Sequence, residues 1–306
     1  MLEVIEPGLL TTVQGRGRSD AVDLGVPIGG ACDPTSLAVA NALVGNPPRN
    51  AALEMTLAGA TFRVVEDCVV ALAGADMGGG VPLGRSVRLR LGETIAFEPA
   101  REGTGVRTYL ALDGSIDVPE VLGARSTCLI GGFGGVDGRP LRAGDVIRRR
   151  EARTTRDRVW PGPVTPLGVP PHVVRFVRGP DADSLAGAVA MLLDTGWTVS
   201  GRGDRQGIRL DGPALATTAR TTMLSRGVTW GTVQLPPDGV PIVLLADHQT
   251  VGGYPAPAVV ISADLPLLGQ LGPGDVLHFA EVTIAEAQAA LRDQVAAFEE
   301  LVRAVG

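Results

Sequence analysis

The sequence predicts a mainly β protein built from two related halves. Three observations carry that prediction: many short apolar or alternating runs bounded by glycine and proline, few stretches of helical period, and an internal echo between the halves. The 42 glycines and 23 prolines follow no collagen-like period, and aromatics reach only 4%, a composition that favours short strands and tight turns. At 306 residues the chain can bury one large core or two ordinary ones.

Taken in order, the first half offers "TFRVVEDCVVALAG", "SVRLRLGETIAF" and "GVRTYLAL" as strands. The second offers "HVVRFVRG", "IVLLAD", "AVVISAD" and "VLHFAEV". Asp33 and Pro34 suit the cap and first turn of a helix through "TSLAVANALV", stopped by Gly45 with Pro47 beyond. "DSLAGAVAMLLDTG" is a second helix candidate. From Thr283 the tail predicts a third, with Thr283 and Glu286 as a capping box and Ile284, Leu291, Val295, Phe298 and Val302 on one face. That face would cover a barrel or meet a partner.

The echo pairs "RSTCLIGGFGG…LRAGDVI" with "HQTVGGYP…LGPGDVLHF": a threonine before Gly-Gly-aromatic, then a Gly-Asp-Val turn entering a strand. Two β-barrels from a duplication would explain it. The arginine cluster and five prolines of "RRREARTTRDRVWPGPVTPLGVPP" predict an exposed connector. The expected division is a first domain over 1–155, a connector over 156–171 and a second domain over 172–306.

Several function classes are disfavoured. A net charge of −6 gives no field for nucleic acid, and no apolar run nears the roughly 20 residues of a spanning helix, so neither a nucleic-acid nor a membrane partner is expected. The N-terminal "MLEVIEPGLL" carries acids where a secretory signal is basic, which reads as a cytoplasmic chain. Cys32, Cys68 and Cys128 are too scattered for a disulfide framework, and His172, His248 and His278 lack ligand spacing, so no metal site is expected. All 27 basic residues are arginine, so a P-loop lysine, a Schiff-base lysine and a biotinyl-lysine are impossible here. "GRGDRQG" misses the dinucleotide fingerprint by one residue and no helix pattern follows it; no GxSxG elbow occurs. One stretch keeps functional interest: "LADHQTVGGYP" sets His248 among polar groups on a loop between apolar strands.

The ordered series "PGLLTTVQGRGR", "LGVPIGGACDP", "ALEMTLAGATFRV", "RTYLALDGSIDVPEVLGARST", "GDRQGIRLDGP", "GTVQLPPDGVPIVLLADHQTVGGYP" and "ADLPLLGQLGPGD" resembles the biotin-dependent carboxyltransferase-like family over essentially the whole chain. The resemblance implies two cyclophilin-like β-barrel domains, with a few short helices and a C-terminal helix. It implies one component of an ATP-dependent 5-oxoprolinase, opening the 5-oxoproline lactam to glutamate and inactive alone. Its implied partners are the B-type sister chain of 5-oxoprolinase (the allophanate hydrolase subunit 1 type) and the A-type chain. ATP would be bound by or shared with a partner, and no biotin would be attached to this chain. Two other implied readings are a regulatory module that antagonises a kinase inhibitor and carboxyl transfer from carboxybiotin to a urea-like amide.

On this resemblance the catalytic candidates are His248, Tyr254 and Arg205, and the substrate-binding candidates Gln206, Gln249, Thr250 and the first-half counterparts Arg125, Ser126 and Thr127. Arg205 could clamp a carboxylate. Gln249 and Thr250 could bond an amide, and His248 or Tyr254 could shuttle a proton. The plainer alternatives are a surface ion pair of Arg205 with Asp204 or Asp211, barrel-end packing for Tyr254, and backbone turning for Gly252 and Gly253.

Overall fold

The computed structural model describes residues 1–151, 156–215 and 223–305, so part of the arginine run preceding the connector, 152–155, lies outside the described residues. By contacts the chain divides into two compact units. One comprises Met1–Asp20, Gly29–Pro166 and Ala297–Gly306; the other comprises Ala21–Ile28 and Leu167–Ala296. The division is less simple than the sequence boundaries. Residues 156–166 are no free linker: Trp160 is buried, its amide N–H donates to the Gly84 carbonyl at 2.7 Å, and the Gly74 N–H donates to the Val164 carbonyl at 2.7 Å.

The first unit contains β1 (Leu2–Glu6), β2 (Leu10–Gln14), β3 (Ala52–Thr56), β4 (Thr61–Val64), β5 (Cys68–Gly74), β6 (Ser86–Leu89), β7 (Thr94–Ala96), β8 (Arg107–Leu112) and β9 (Val146–Ile147). They form a five-stranded sheet, β2-β3-β8-β5-β6, and a four-stranded sheet, β7-β4-β1-β9. The chain changes sheet between β1 and β2 at Pro7-Gly8, where Gly8 has φ +68° and any Cβ would collide with the Gly59 carbonyl. The two sheets enclose one core, including Leu53, Phe62, Leu72 and Leu110, without closing their ladders among the described residues. Helix α1 (Pro34–Leu43) covers the other face of the five-stranded sheet. Asp33 caps it, its Oδ1 accepting from the Thr35 and Ser36 amides at 3.0 and 2.9 Å, and Gly45 (φ +73°) follows its end.

The second unit contains β10 (His172–Arg178), β11 (Gly196–Val199), β12 (Gly207–Asp211), β13 (Arg226–Gly227), β14 (Thr232–Gln234), β15 (Ile242–Leu244), β16 (Val251–Gly252), β17 (Ala258–Val260) and β18 (Val276–Glu281). Seven of them close into a barrel in the order β10-β17-β14-β15-β12-β11-β18, with β13 and β16 paired beside it. Its interior is filled by Trp197, Phe176, Phe279, Leu210, Val233 and Val243, so it is a packed core and not a channel. Helix α2 (Ala186–Asp194) seals it through Val189 and Leu192, and short α3 (Leu265–Leu268) adds Leu268.

The Gly-Asp-Val half of the echo is structural. In the first unit Gly144 (φ +89°) donates to the Val4 carbonyl, the Val4 amide donates to the Asp145 carbonyl, and Asp145 Oδ2 accepts from the Arg142 amide at 2.7 Å. In the second, Gly274 (φ +93°) donates to the Val199 carbonyl, the Val199 amide donates to the Asp275 carbonyl, and Asp275 Oδ2 accepts from the Gly272 amide at 2.8 Å. The same turn with the same pattern of bonds launches β9 and β18. The threonine half of the echo is not equivalent, since Thr127 is fully buried and Thr250 half-buried.

The tail forms α4 (Ile284–Val305), with the expected box: Thr283 N–H and Oγ1 both donate to Glu286 Oε2 at 2.8 Å, and the Glu286 amide donates to Thr283 Oγ1 at 3.2 Å. Its predicted apolar face divides. Phe298 and Val302 pack against the first unit's core, with Phe298 5.6 Å from Trp160 between ring centroids, whereas Ile284, Leu291 and Val295 are exposed.

Candidate functional site

Strand alternation places the candidate site. In β12, β15 and β14 the residues Ile208, Leu210, Val243 and Val233 point into the barrel core. Their neighbours Gly207, Arg209, Ile242, Leu244 and Gln234 therefore face outward, and registry aligns Gln234 with Ile242 and Ile242 with Arg209. Over this outer face lies a cleft of about 310 Å³. The 202–206 loop and the 249–254 loop contribute Arg202, Asp204, Gln206, Gln249 and Tyr254 to its walls.

Three sequence-predicted residues thus meet at one cleft. Gln206 is exposed, its amide N–H donating to Asp204 Oδ1 at 2.7 Å, and Tyr254 is 41% exposed rather than packed at a barrel end. Gln249 is half-buried and its Nε2 donates to Gln234 Oε1 at 3.1 Å. Gln234, only 2% exposed, lies in the "GTVQLPPDG" stretch without standing out there as a site candidate. A lone glutamine between Val233 and Leu235 looks like any outward strand residue; its interest arises from the loop folded over it.

Arg205 does not line the cleft. It does clamp a carboxylate bidentately, but the carboxylate is Asp247, with Nε to Oδ2 at 2.8 Å and Nη2 to Oδ1 at 3.0 Å. Both side chains are more than nine-tenths buried, so this is not the surface pair with Asp204 or Asp211 either. Main-chain bonds run in parallel: the Asp247 amide donates to the Arg205 carbonyl at 2.9 Å and the Leu245 amide to the Gln206 carbonyl at 2.8 Å. The pair fastens together the two loops that wall the cleft.

His248 is also buried, at 2% exposure. Its Nδ1 lies 2.6 Å from the Gln249 carbonyl oxygen, which can only accept, so Nδ1 carries the proton and Nε2 a lone pair. Nε2 has no hydrogen-bond partner among the described residues. Burial pushes the imidazole below its ordinary value, against smaller opposing effects of the Gln249 carbonyl and Asp247. The ring is a neutral base at neutral pH. Thr250 is half-buried beside it, and its carbonyl accepts from the Val228 amide at 3.1 Å.

The first-half candidates are engaged within their own unit. Ser126 Oγ accepts from the Gly15 amide at 2.9 Å and donates to the Arg16 carbonyl at 2.8 Å. Thr127 Oγ1 donates to the Val13 carbonyl at 3.0 Å. Arg125 pairs with Glu120 at 2.9 Å. These bonds fix a loop, and the two hydroxyls are buried in doing so. A larger buried polar network lies on the five-stranded sheet. The Tyr109 hydroxyl donates to Glu54 Oε2 at 2.7 Å and accepts from the Asp33 amide at 2.8 Å, while the Cys32 amide donates to the same Glu54 oxygen at 3.0 Å. Burial, reinforced by the Glu54 charge, drives the Tyr109 hydroxyl far above its ordinary range. It stays a neutral donor that orients the helix cap.

Among the described residues no group of three or more His, Cys, Asp or Glu could hold a metal ion, and no helix is long and apolar enough to cross a membrane.

One closed barrel and one two-sheet unit make up a fold that known proteins share. The family model "Carboxyltransferase domain, subdomain A and B" matches residues 24–281, and the chain belongs to that family. It is homologous to the C subunit of 5-oxoprolinase from Escherichia coli, at 37% identity over 98% of this chain and 97% of that one. It is also homologous to the C subunit of 5-oxoprolinase from Haemophilus influenzae, at 31% identity over 94% and 93%. Among solved structures, the Kluyveromyces lactis urea carboxylase matches at TM-score 0.86 and 27% identity, over 98% of this chain and 29% of that one. TTHA0988 matches at TM-score 0.82 and 37% identity, over 91% of this chain and 56% of that one. The chain thus spans about half of one solved relative and less than a third of the other.

Proposed function

We propose that this chain is the C-type component of an ATP-dependent 5-oxoprolinase, contributing part of a substrate site shared with a B-type sister chain, in assembly with an A-type chain. The observation that carries the reading is the end-to-end likeness to the C subunit of 5-oxoprolinase, at 37% identity. The cleft supports it chemically. Its volume suits a small molecule, the carboxamides of Gln206 and Gln249 match an amide, and the guanidinium groups of Arg202 and Arg209, paired with Asp211 and Asp238, stand at the wall with Asp204 and can turn N–H donors to a carboxylate. Arg205 takes a positioning role in place of the substrate clamp. Opening the lactam adds water to the ring carbonyl and breaks its C–N bond, the nitrogen leaving with a proton. Tyr254 at the cleft wall and the neutral His248, bonded through Nδ1 to the Gln249 carbonyl, are the groups assigned to proton movement.

The residues present do not form a P-loop for a nucleotide. The chain has no lysine, and the N-terminus of α1 is already filled by the Asp33 carboxylate, which would repel a phosphate. ATP, which supplies the free energy for lactam opening, is assigned to a partner chain or to a site shared with one. The deciding experiment is co-expression with the B-type and A-type chains, followed by ADP release on addition of 5-oxoproline, urea or allophanate. ADP release specific to 5-oxoproline and requiring all three chains is expected. Avidin-sensitive activity on urea would instead indicate carboxyl transfer, and an assembly with no turnover on any of these substrates would indicate a regulatory module.

A further inference from the structure

We propose that Gln234 is the positioning residue that gives the cleft its preference for an amide, and that Gly252 is a glycine in order to leave Gln234 its place; this deepens the proposed function and rests on it for the choice of ligand. Gly252 needs no glycine for its backbone, because its φ is not positive. Turning is therefore not its reason. What it needs is space: a Cβ there would overlap Gln234 Nε2 and lie 3.1 Å from Val228 Cγ1. Pairing of Gly252 with Arg226 lays this backbone over the Gln234 carboxamide, which explains why an outward-facing glutamine is 2% exposed.

Gln234 Nε2 has no hydrogen-bond partner among the described residues, while its Oε1 accepts from Gln249 Nε2 at 3.1 Å. A buried carboxamide left half satisfied costs stability, so its presence calls for a reason. Here the reason is orientation. With one Nε2 hydrogen committed to Gln234, the Gln249 carboxamide is fixed in rotation. Its remaining N–H and its Oε1 stay available at the cleft wall as one donor and one acceptor. That array is complementary to a cis-amide, in which N–H and C=O lie on the same edge, as in a lactam or a ureido group. A carboxylate offers no donor and an amine no acceptor, so neither satisfies both.

Gly252→Ala is the informative variant, because the overlapping atom is the far end of a flexible side chain. The fold can accept the methyl group by displacing the Gln234 carboxamide. Gln234→Met removes the acceptor at similar size, and Gln234→Glu keeps an acceptor for Gln249. Binding of 5-oxoproline, urea, allophanate and proline is measured by calorimetry on the full chain assembled with its partner chains. The wild type is expected to bind 5-oxoproline and not proline. Gly252→Ala and Gln234→Met are expected to weaken binding about tenfold, and Gln234→Glu to stay within about threefold. The same dependence shown by urea or allophanate in place of 5-oxoproline would support the amide-reading role of Gln234 while refuting the 5-oxoproline assignment. Wild-type affinity for 5-oxoproline in both Gly252→Ala and Gln234→Met would overturn the role of Gln234 and leave the assignment standing. Failure of every amide to bind any form would overturn both.

Discussion

Replacing Arg205 by alanine separates a structural clamp from a substrate clamp. The guanidinium makes two charge-assisted bonds to Asp247, at 2.8 and 3.0 Å, with both side chains more than nine-tenths buried. Arg205→Ala leaves the Asp247 carboxylate buried without that compensation, and breaking a buried pair from one side costs about 3–5 kcal/mol. Against a total stability of about 5–15 kcal/mol, that is a large fraction. With a urea slope of about 3 kcal/mol per molar, the unfolding midpoint should fall by about 1–1.7 M. Fluorescence of Trp197, buried in the same barrel core, reports the transition of this unit when Trp160, in the first unit's core, is replaced by phenylalanine in both proteins compared. Removing the charge as well, in Arg205→Met with Asp247→Leu, should recover most of the loss, because a well-packed apolar pair can replace a buried ion pair at little cost. An Arg205→Ala protein with an unchanged midpoint but lost 5-oxoproline affinity would refute this reasoning and return Arg205 to the substrate.

Three further outcomes follow from the same geometry. The lowered pKa of His248 means that the unfolded chain binds a proton the folded chain resists, so its contribution is full above about pH 6.5 and is lost as pH falls toward the folded value; thermal melts from pH 7.5 to 5 should decline less steeply in His248→Gln than in wild type, and equal slopes would contradict the burial argument. Tyr109→Phe removes a donor to Glu54 and an acceptor for the Asp33 amide, and should cost about 1–3 kcal/mol in urea unfolding. Phe298→Ala strips the ring that lies 5.6 Å from Trp160 and should cost about 2–3 kcal/mol, whereas Leu291→Ala, on the exposed part of the same helix, should change stability by less than about 1 kcal/mol.

Much of the fold was legible because local chemistry dictated it. The Asp33 and Thr283 caps, the alternating strands and the Gly-Asp-Val turn are decided within a few residues of chain, and each stands as read. Whether a set of strands closes its ladder is decided by partners far apart in sequence, so the closed second unit and the unclosed first could not be told apart from pattern. The connector misled for a similar reason: its prolines are exposed in character, yet Trp160 anchors the stretch in a core. At the cleft, residue chemistry picked out the two loops that wall it and a bidentate carboxylate bond for Arg205, but not the partner of that bond, because Asp247 lies 42 residues away. Gln234 was invisible, since only the loop bearing Gly252 makes it unusual.

The most direct test of the account is a crystal structure of the assembled complex with 5-oxoproline bound. The ligand should lie on the outer face of the second-unit barrel, with its amide edge on Gln249 and its carboxylate toward Arg202 or Arg209. Ligand density confined to another part of the assembly, with the cleft between the 202–206 and 249–254 loops open to solvent, would contradict it.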